Sequence, residues 1–494
     1  MFRLFTIIFP IFLFAESDIL WFEEFSGSGE ESIGHYILTC EDNGFLQVGE
    51  TYDYSNLSSK ILIVKISSDG QLIWDREIDI GQHNLGNSAI ELSDGYLICG
   101  GINQNSALIK LNKDNGSTIF IETFDNGGID AFEHAALIPD GIVAVGYAHA
   151  EDSLNTFYTE GQGYIMFLDE HGNELSGQNL SQFIDQAYRV KNFNNELIIS
   201  GLFEGASDYK VIKMSLDGNV LWHYSYGGND DDHCFGMDVN DNGDIFLTGH
   251  TISGTQNWDT YTVKISNDGD LIWDSVVGNP RGFNPEYIHD EAWGIKATND
   301  GGCVIIAGTG DEYDEYSECD GQDCSDIWNA YLIKFSGAGD VSWQKTFSSY
   351  DVSEEISDWA GEAIDLTNDG GAIIAVDNSQ FGFLRINNIQ NILNNQVGAK
   401  IPNYYKLETN YPNPFNPKTN ISYSIPKDEN VSIFIYDVRG NKIIELFNSF
   451  KSKGTYSIVW SGMDQRGSKV SAGVYFYSMY AGKFRQTKKM ILLN

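Results

Sequence analysis

The sequence predicts an all-β fold, a seven-bladed β-propeller closed by its N-terminal strand and followed by a small C-terminal immunoglobulin-like β-sandwich. Three observations support this prediction. Glycine contributes 51 of the 494 residues and aromatic residues contribute 13%, a composition typical of a turn-rich β protein. Three short patterns recur in a fixed order between residues 18 and 390. One copy of the third pattern stands in front of all the others.

The first pattern is a turn followed by an apolar strand, and the chain contains seven copies of it. Examples are DNGFLQVG (42–49), PDGIVAVG (139–146) and DNGDIFLTG (241–249). Turn residues that bound a short apolar run are typical of strands joined by tight turns. We therefore expect one such turn and strand in each of seven repeats.

The other two patterns complete the repeat. The second is an apolar strand, seven times present, that carries a basic residue in YTVKI (261–265) and in every other copy except the third, YIMFL (164–168). The third is a turn and a strand with an aromatic residue, as in DGDLIW (268–273), and it has six copies in repeat order. The seventh copy lies at residues 18–21, so the N-terminal strand is predicted to complete the last blade and close the ring.

One stretch carries a family resemblance. The run YSYGGNDDDHCFGMDVNDNGDIFLTGHTISGTQNWDTYTVKISNDGDLIW (224–273) resembles the β-propeller repeat of secreted and surface bacterial proteins. The resemblance covers residues 18–390 and is fainter outside this blade. It implies that residues 16–390 form one propeller domain.

The charge is divided unevenly along the chain. Residues 401–494 hold 13 Lys and Arg against 6 Asp and Glu, whereas the first 400 residues hold 17 against 64. The body therefore carries −47 and the tail +7. A body this acidic repels phosphate backbones and anionic lipid, so we expect no nucleic-acid partner.

The N-terminus has the pattern of an export signal. Arg3 precedes an apolar run over residues 4–14, and Ala15 is followed by polar residues, which predicts a signal peptide at residues 1–15. No other stretch is long and apolar enough to predict a transmembrane segment. In an oxidising compartment, Cys319 and Cys324 are predicted to form a disulfide within one loop, and the other four cysteines are interpreted as small buried apolar residues.

The tail is predicted to be a separate domain. Five of the nine prolines fall between Pro402 and Pro426, which indicates a linker at residues 391–405 and a new unit at 406–494. Alternating strands joined by Gly-containing turns predict a small β-sandwich there. An immunoglobulin-like accessory module without any sorting role is the alternative that the strand pattern leaves open.

The tail motifs carry a second resemblance. The segments NYPNPFNPKTNISYSI (410–425), YDVRGNKI (436–443), SAGVYFYSM (471–479) and the terminal KKMILLN closely resemble the type A C-terminal sorting domain of the type IX secretion system, over residues 404–494. This resemblance implies the type IX machinery as a partner, passage through the periplasm and across a Gram-negative outer membrane, and release or attachment at the cell surface. It also implies that the tail is usually removed.

Long irregular segments are predicted to lie at one end of the propeller. In each blade, the connection between the second and third strands lies at the same end of the propeller as the connection to the next blade. We call this end the loop face. The long irregular segments there are residues 147–163, 250–260, 279–291, 309–329 and 348–358. Binding residues concentrate on such loops. The candidate ligand-binding residues are Glu133, His134, Asp231, Asp232, His233, His289, Asp290 and Glu291. Solvated acidic loops are the alternative interpretation.

One acidic insertion is a candidate Ca²⁺ site. Oxygen ligands are those that Ca²⁺ prefers, and crowded carboxylates repel one another unless they are neutralised. The candidate metal ligands are Asp311, Asp314, Asp320, Asp323 and Asp326.

The predicted function is binding. We expect an exported, monomeric cell-surface or extracellular propeller that binds a glycan, a protein or a cation through its loop face. No HExxH, GxSxG or P-loop sequence is present. The alternative is a secreted hydrolase or lyase that acts on polysaccharide with carboxylates at the channel mouth.

Overall fold

A computed structural model describes residues 18–150, 161–203, 208–255, 257–278, 289–310, 328–352, 357–387, 389, 405–407, 410, 413–415, 417–427, 429–451, 454–466 and 468–493. The chain divides into two compact units, Met1–Ile392 and Leu393–Asn494. The predicted signal peptide, the linker residues 391–404, the Cys319–Cys324 disulfide and the five candidate calcium ligands of residues 311–326 lie outside the described residues.

The first unit contains seven four-stranded antiparallel sheets, which we number as blades. Strand β1 (Ile19–Phe25) comes first in the chain. Blade 1 contains β2 (Glu31–Thr39), β3 (Phe45–Asp53), β4 (Ser58–Ile66) and β5 (Leu72–Ile78). Blade 2 contains β6 (Asn84–Leu92), β7 (Gly95–Ile102), β8 (Asn105–Leu111) and β9 (Thr118–Phe124). Blade 3 contains β10 (Ile129–Ile138), β11 (Gly141–Ala150), β12 (Gln162–Leu168) and β13 (Glu174–Asn179). Blades 4 and 5 contain β14 (Gln186–Phe193), β15 (Glu196–Phe203), β16 (Asp208–Ser215), β17 (Val220–Tyr226); and β18 (Asp232–Val239), β19 (Ile245–Thr251), β20 (Asp259–Ile265), β21 (Leu271–Val277). Blade 6 contains β22 (His289–Ala297), β23 (Cys303–Gly310), β24 (Asn329–Phe335) and β25 (Val341–Phe347), and blade 7 contains β26 (Ala360–Leu366), β27 (Ala372–Asp377) and β28 (Phe381–Ile386).

The ring closes as the sequence predicts. Strand β1 pairs antiparallel with β28, from Ile19 opposite Ile386 to Phe25 opposite Phe381, and becomes the outer strand of blade 7. Each inner strand contacts the inner strand of the next blade, and β26 contacts β2. The core lies between neighbouring blades, where the facing sides of adjacent sheets bury their aliphatic residues. The seven-bladed propeller is therefore confirmed.

The basic residue of the second pattern has a structural role. In blade 6, Lys334 is fully buried and its Nζ lies 2.9 Å from a carboxylate oxygen of Asp300, in the turn that joins β22 to β23. Equivalent pairs join Lys65 to Asp42, Lys110 to Asp94, Lys213 to Glu196, Lys264 to Asp244 and Arg385 to Asp369. In blade 3 the equivalent position is Phe167, which is buried without a charge. The repeated base is thus the partner of the turn acid.

The aromatic residue of the third pattern joins one blade to the next. The indole nitrogen of Trp273 in blade 5 donates a hydrogen bond to the carbonyl of Gly337 in blade 6, at 3.2 Å. A Cβ atom added to Gly339 would lie 2.8 Å from the Trp273 ring, and Gly339 has a φ of +89°. Trp74 makes the same contact with the turn that follows β8 in blade 2. Only glycine satisfies both the backbone conformation and the close approach of the ring.

Removing the acid from one of these pairs is expected to destabilise the propeller. Asp300→Ala leaves the buried Lys334 ammonium without its carboxylate, which costs about 3 kcal/mol of unfolding free energy. The measurement is the denaturant midpoint. Adding Lys334→Phe to Asp300→Ala should recover much of the lost unfolding free energy, because blade 3 has Phe167 at the position equivalent to Lys334. As a control, Asp268→Ala in an exposed turn should change stability by less than about 0.5 kcal/mol. Equal losses in the two single variants would contradict this role for the pair.

The second unit is a small sandwich, as predicted. One sheet contains β29 (Lys406–Leu407), β30 (Thr419–Ile425) and β33 (Gly454–Trp460), and the other contains β31 (Glu429–Asp437), β32 (Lys442–Lys451), β34 (Gly473–Ala481) and β35 (Phe484–Leu492). Both sheets contribute to one core, which includes Ile421, Tyr423, Ile433, Trp460 and Tyr477. The unit therefore has a hydrophobic core of its own.

Candidate binding site at the propeller channel

The inner strand of every blade contains a β-bulge at the equivalent position along the strand. In each one the register shifts by a single residue, which leaves that residue without a partner in the second strand. Bulges re-aim a side chain and often lie near functional sites. The bulged residues form what we call the channel ring: His35, Asn87, Glu133, Tyr188, Phe235, Trp293 and Glu362.

Blades 4 to 6 contribute the aromatic half of the channel ring. The ring centroids of Tyr188 and Phe235 are 5.1 Å apart, and those of Phe235 and Trp293 are 4.4 Å apart. Trp258, in the connection between β19 and β20 on the loop face, extends this surface through His250, whose ring lies 4.8 Å from Trp258 and 5.8 Å from Trp293. Both tryptophans are partly exposed. Phe235, Trp258 and Trp293 form what we call the aromatic wall, which leads from the loop face to the channel. Its accessible surface comes from the two tryptophans, because Phe235 is buried.

Blades 7, 1 and 3 contribute titratable side chains to the other half. Burial raises the pKa of Glu133 to about 7, although the positive charges of Arg189 and His35 oppose the shift. Burial also raises the pKa of Glu362 to about 8, and the negative charge of Asp377 adds to the effect. Both carboxyl groups are therefore largely protonated below neutral pH and can donate as well as accept hydrogen bonds.

His35 lies between these two carboxyl groups and interacts electrostatically with both. Its Nε2 is 3.8 Å from a carboxylate oxygen of Glu50. Burial by itself lowers the pKa of His35, but the nearby Glu50 carboxylate outweighs this effect and the pKa is raised. The polar half of the ring thus combines two carboxyl groups with an imidazole.

Four of the predicted ligand-binding residues lie beside the aromatic wall. His233 Nδ1 is 3.3 Å from His250 Nε2, and its ring is 4.7 Å from that of Trp258. His289 Nδ1 is 3.5 Å from a Glu291 oxygen. Burial alone raises the pKa of Glu291, but this close contact with His289 and the charges of the neighbouring histidines lower it overall. Asp231 is exposed at the rim.

Asp232 and Asp290 are fully buried at the start of their strands. One carboxylate oxygen of Asp232 accepts hydrogen bonds from the Gly228 amide at 2.6 Å and from the Ser253 hydroxyl at 3.2 Å. The Asp290 amide donates to the Trp258 carbonyl at 2.8 Å. These contacts fix the loops that carry the aromatic wall.

A small cavity of about 30 Å³ adjoins the channel ring. Its lining includes Tyr36, His134, Arg189, Lys191, Trp293 and Lys296. The predicted residue His134 is buried, with Nε2 3.4 Å from the Tyr36 hydroxyl, and burial together with the charges of Arg189 and the two lysines lowers its pKa. The structure therefore separates Glu133 and His134, which face the ring and this cavity, from the histidine cluster beside Trp258.

The lysines of the cavity are paired, whereas its arginine is not. Lys191 Nζ is 3.0 Å from Asp238, and Lys296 Nζ is 2.9 Å from Asp365. The Arg189 guanidinium donates to the carbonyl of Tyr188 at 2.9 Å and lies 5.9 Å from the Tyr36 ring centroid. Among the described residues it forms no ion pair with a carboxylate.

Within the described ranges, no group of three or more His, Cys, Asp or Glu side chains is arranged to hold a metal ion. The four described cysteines are buried and unbridged, as interpreted from the sequence. In the same part of the chain, no helix has the length and apolar character needed to cross a membrane.

Sequence reasoning missed Tyr188, Arg189, Trp293 and Glu362. The inner strands have the weakest repeat pattern, and a bulge has no strong signature of its own. One signal was available. The residue before the bulge is small in six of seven blades: Gly34, Gly86, Ala187, Cys234, Ala292 and Gly361. Aligning the inner strands on that small residue would have placed six of the seven members of the channel ring.

Three solved structures that resemble this chain have low sequence identity to it. The virginiamycin B lyase of Staphylococcus aureus has 11% identity and a TM-score of 0.46, and the match covers 74% of this chain and 99% of the lyase. The WD40 domain of Pan2 from Neurospora crassa has 8% identity and a TM-score of 0.42, covering 74% of this chain and 98% of that domain. PorZ, a surface component of the type IX secretion system of Porphyromonas gingivalis, has 10% identity and a TM-score of 0.19, covering 94% and 82%. The assignment of the propeller fold rests on the seven sheets themselves.

No curated protein sequence matches the chain. A family model does match its C-terminal part: residues 409–493 match the secretion system C-terminal sorting domain. This match covers the sandwich from before β30 to the end of β35 and agrees with the tail motifs. The C-terminal unit is therefore a type IX secretion system C-terminal sorting domain, which directs the chain to the cell surface or the extracellular space.

Proposed function

We propose that the exported propeller binds an extracellular carbohydrate at the loop-face mouth of its channel. The observation that carries this proposal is the aromatic wall of Phe235, Trp258 and Trp293 beside the polar half of the channel ring. A sugar ring has apolar C–H faces that pack on aromatic side chains and hydroxyl groups at its edge that need hydrogen-bond partners. A concave site with aromatic walls and a few convergent polar groups suits such a ligand.

Other features are consistent with this proposal. Export by the sorting domain brings the propeller to the compartment in which extracellular polysaccharides are found. A body charge of −47 disfavours nucleic acid and anionic membranes as ligands. Protonated Glu133 and Glu362 and the half-buried His35 offer both donors and acceptors to sugar hydroxyl groups.

Replacing either partly exposed tryptophan tests the proposal. Trp293→Ala or Trp258→Ala removes a stacking surface, so the Kd for a bound oligosaccharide should rise at least tenfold, which corresponds to about 1.4 kcal/mol. A glycan array identifies the oligosaccharide, and calorimetry measures the Kd. Tyr54→Ala is the matched control, because Tyr54 is an exposed aromatic residue in the connection between β3 and β4. Unchanged binding in the folded tryptophan variants would refute this site.

A second candidate function is cleavage of the bound polysaccharide. Two carboxyl groups with pKa values raised to about 7 and about 8 flank His35, and groups that titrate near the working pH are suited to general acid and base roles. Release of new reducing ends or unsaturated products from the bound glycan, lost in Glu362→Gln, would establish catalysis. Binding without product release would leave the protein as a binding protein.

A further inference from the structure

We propose that the carbohydrate is acidic and that Arg189 binds its carboxylate, so that the preferred ligand contains a uronic acid residue. This inference rests on the proposed carbohydrate-binding function and specifies its ligand class. It starts from the position of one cation in a strongly acidic domain.

Among the residues that the structure describes, Arg189 is the channel cation whose charge is not used in an ion pair. It follows the bulged Tyr188 on β14 and is half-buried in the channel. Its guanidinium donates a hydrogen bond to a carbonyl and lies near an aromatic ring, and neither of these contacts neutralises its charge. A body with 64 acidic and 17 basic residues has ample carboxylates, and the other described channel cations, Lys191 and Lys296, both have one. The unpaired guanidinium is thus available to an anionic ligand.

The surroundings of Arg189 add to its positive potential. The same cavity is lined by Lys191 and Lys296, whose two positive charges are balanced by Asp238 and Asp365. With Arg189 included, these five groups carry a net charge of +1. The channel-ring acid that interacts electrostatically with Arg189 is Glu133. Burial raises the pKa of Glu133 to about 7, so its carboxyl group is largely uncharged in mildly acidic solution and does not neutralise Arg189 there. A ligand anion would complete the charge balance of the cavity.

The cavity size and the position of Trp293 limit the form of the anion. A volume of about 30 Å³ holds one or two waters or a single small group, not a sugar ring. Trp293 belongs to both the cavity lining and the aromatic wall. A sugar ring packed against Trp293 can therefore place a substituent into the cavity. A planar carboxylate accepts two parallel hydrogen bonds from a guanidinium, which favours carboxylate as the substituent.

A pair of matched oligosaccharides tests this inference in the full-length protein. Oligogalacturonate and its methyl ester share the same sugar rings and linkages but differ in the free carboxylate. The wild-type protein should bind the free acid at least tenfold more tightly than the ester by calorimetry. Arg189→Gln should weaken binding of the acid about tenfold and leave ester binding unchanged. Arg189→Lys should retain part of the preference, and Arg76→Gln on outer strand β5 should retain all of it.

The outcomes separate this inference from the function on which it rests. Equal affinity for acid and ester, or an acid preference that survives in Arg189→Gln, would overturn the role of Arg189 and leave carbohydrate binding intact. Glucuronate oligosaccharides serve as a second acidic probe. If the protein binds neutral glycans but neither acidic oligosaccharide, the acidic ligand class is overturned. Failure of every glycan to bind would overturn both. A parallel loss of acid and ester binding in Arg189→Gln would indicate a purely structural role.

Discussion

Deleting residues 18–26, which removes β1, is expected to lower the thermal midpoint of the propeller by roughly 10 °C. The strand supplies the outer edge of blade 7, where Phe22 packs 4.3 Å from Trp359 and Phe25 packs 5.6 Å from Phe383. Trp21 joins the core between blades 7 and 1. Losing three partly buried aromatic residues costs about 5 kcal/mol, and each 1 kcal/mol shifts the midpoint by about 2 °C in a large domain. Calorimetry of the deletion variant measures the shift.

Two controls separate ring closure from general damage. Phe22→Ala should reproduce a large part of the loss, whereas Leu20→Ser should have little effect, because Leu20 is 50% exposed. A synthetic peptide of residues 18–26 should raise the midpoint of the deletion variant in a concentration-dependent way, since it binds only the folded state. A midpoint that does not respond to the deletion would show that β1 does not hold the ring together.

The repeat patterns predicted the fold because each repeated residue makes a repeated contact. The turn acid and the third-strand base form an ion pair in six of the seven blades, as Asp300 and Lys334 do. The fourth-strand aromatic residue and the turn glycine join one blade to the next, as Trp273 and Gly339 do. Contacts of this kind recur at fixed spacing and are visible in a single sequence. Even the exception in blade 3 has a physical reason, because buried Phe167 needs no acidic partner.

The candidate site could be predicted only in part, because its residues do not repeat from blade to blade. Its side chains occupy equivalent positions but differ in chemistry from blade to blade, so no repeated residue type marks them except the small residue that precedes six of the seven bulges. Clusters of acids and histidines in the sequence drew attention to the starts of the inner strands, where His233 and Glu291 lie. Sequence alone could not separate these from Asp232, whose carboxylate holds a loop backbone. It also gave no reason to single out Arg189, since an unpaired charge is defined by its neighbours.

The two units also differ in how much their sequences reveal about function. The sorting domain has a function common to many exported proteins, so its motifs are shared and recognisable. The proposed binding site of the propeller, the channel ring, consists of seven residues that are far apart in sequence and form no shared motif. A reader of the sequence therefore learns the destination of the protein before its ligand.

Removing residues 406–494 is expected to reduce the extracellular and surface-bound fraction of the protein at least tenfold in a bacterium with a type IX secretion system. The propeller should remain folded, because its blades close on β1 and form a compact unit within Met1–Ile392. The chain should then accumulate inside the cell envelope. Immunoblots of fractionated cells and medium measure the distribution, and thermal unfolding of the retained protein checks that it is folded.

Point variants distinguish a folded sorting domain from a bare sequence tag. Trp460 is buried, with Phe415 and Tyr475 packed at 5.6 and 5.2 Å, so Trp460→Ala should cost about 3 to 5 kcal/mol. A domain this small has only about 5 to 15 kcal/mol of stability, so export should fall steeply. Val438→Ser, at a site 65% exposed, should export normally. If the Trp460→Ala variant has an unfolded sandwich but is exported at the wild-type level, the machinery recognises the terminal residues alone. If folding and export are lost together, the machinery recognises the assembled sheets.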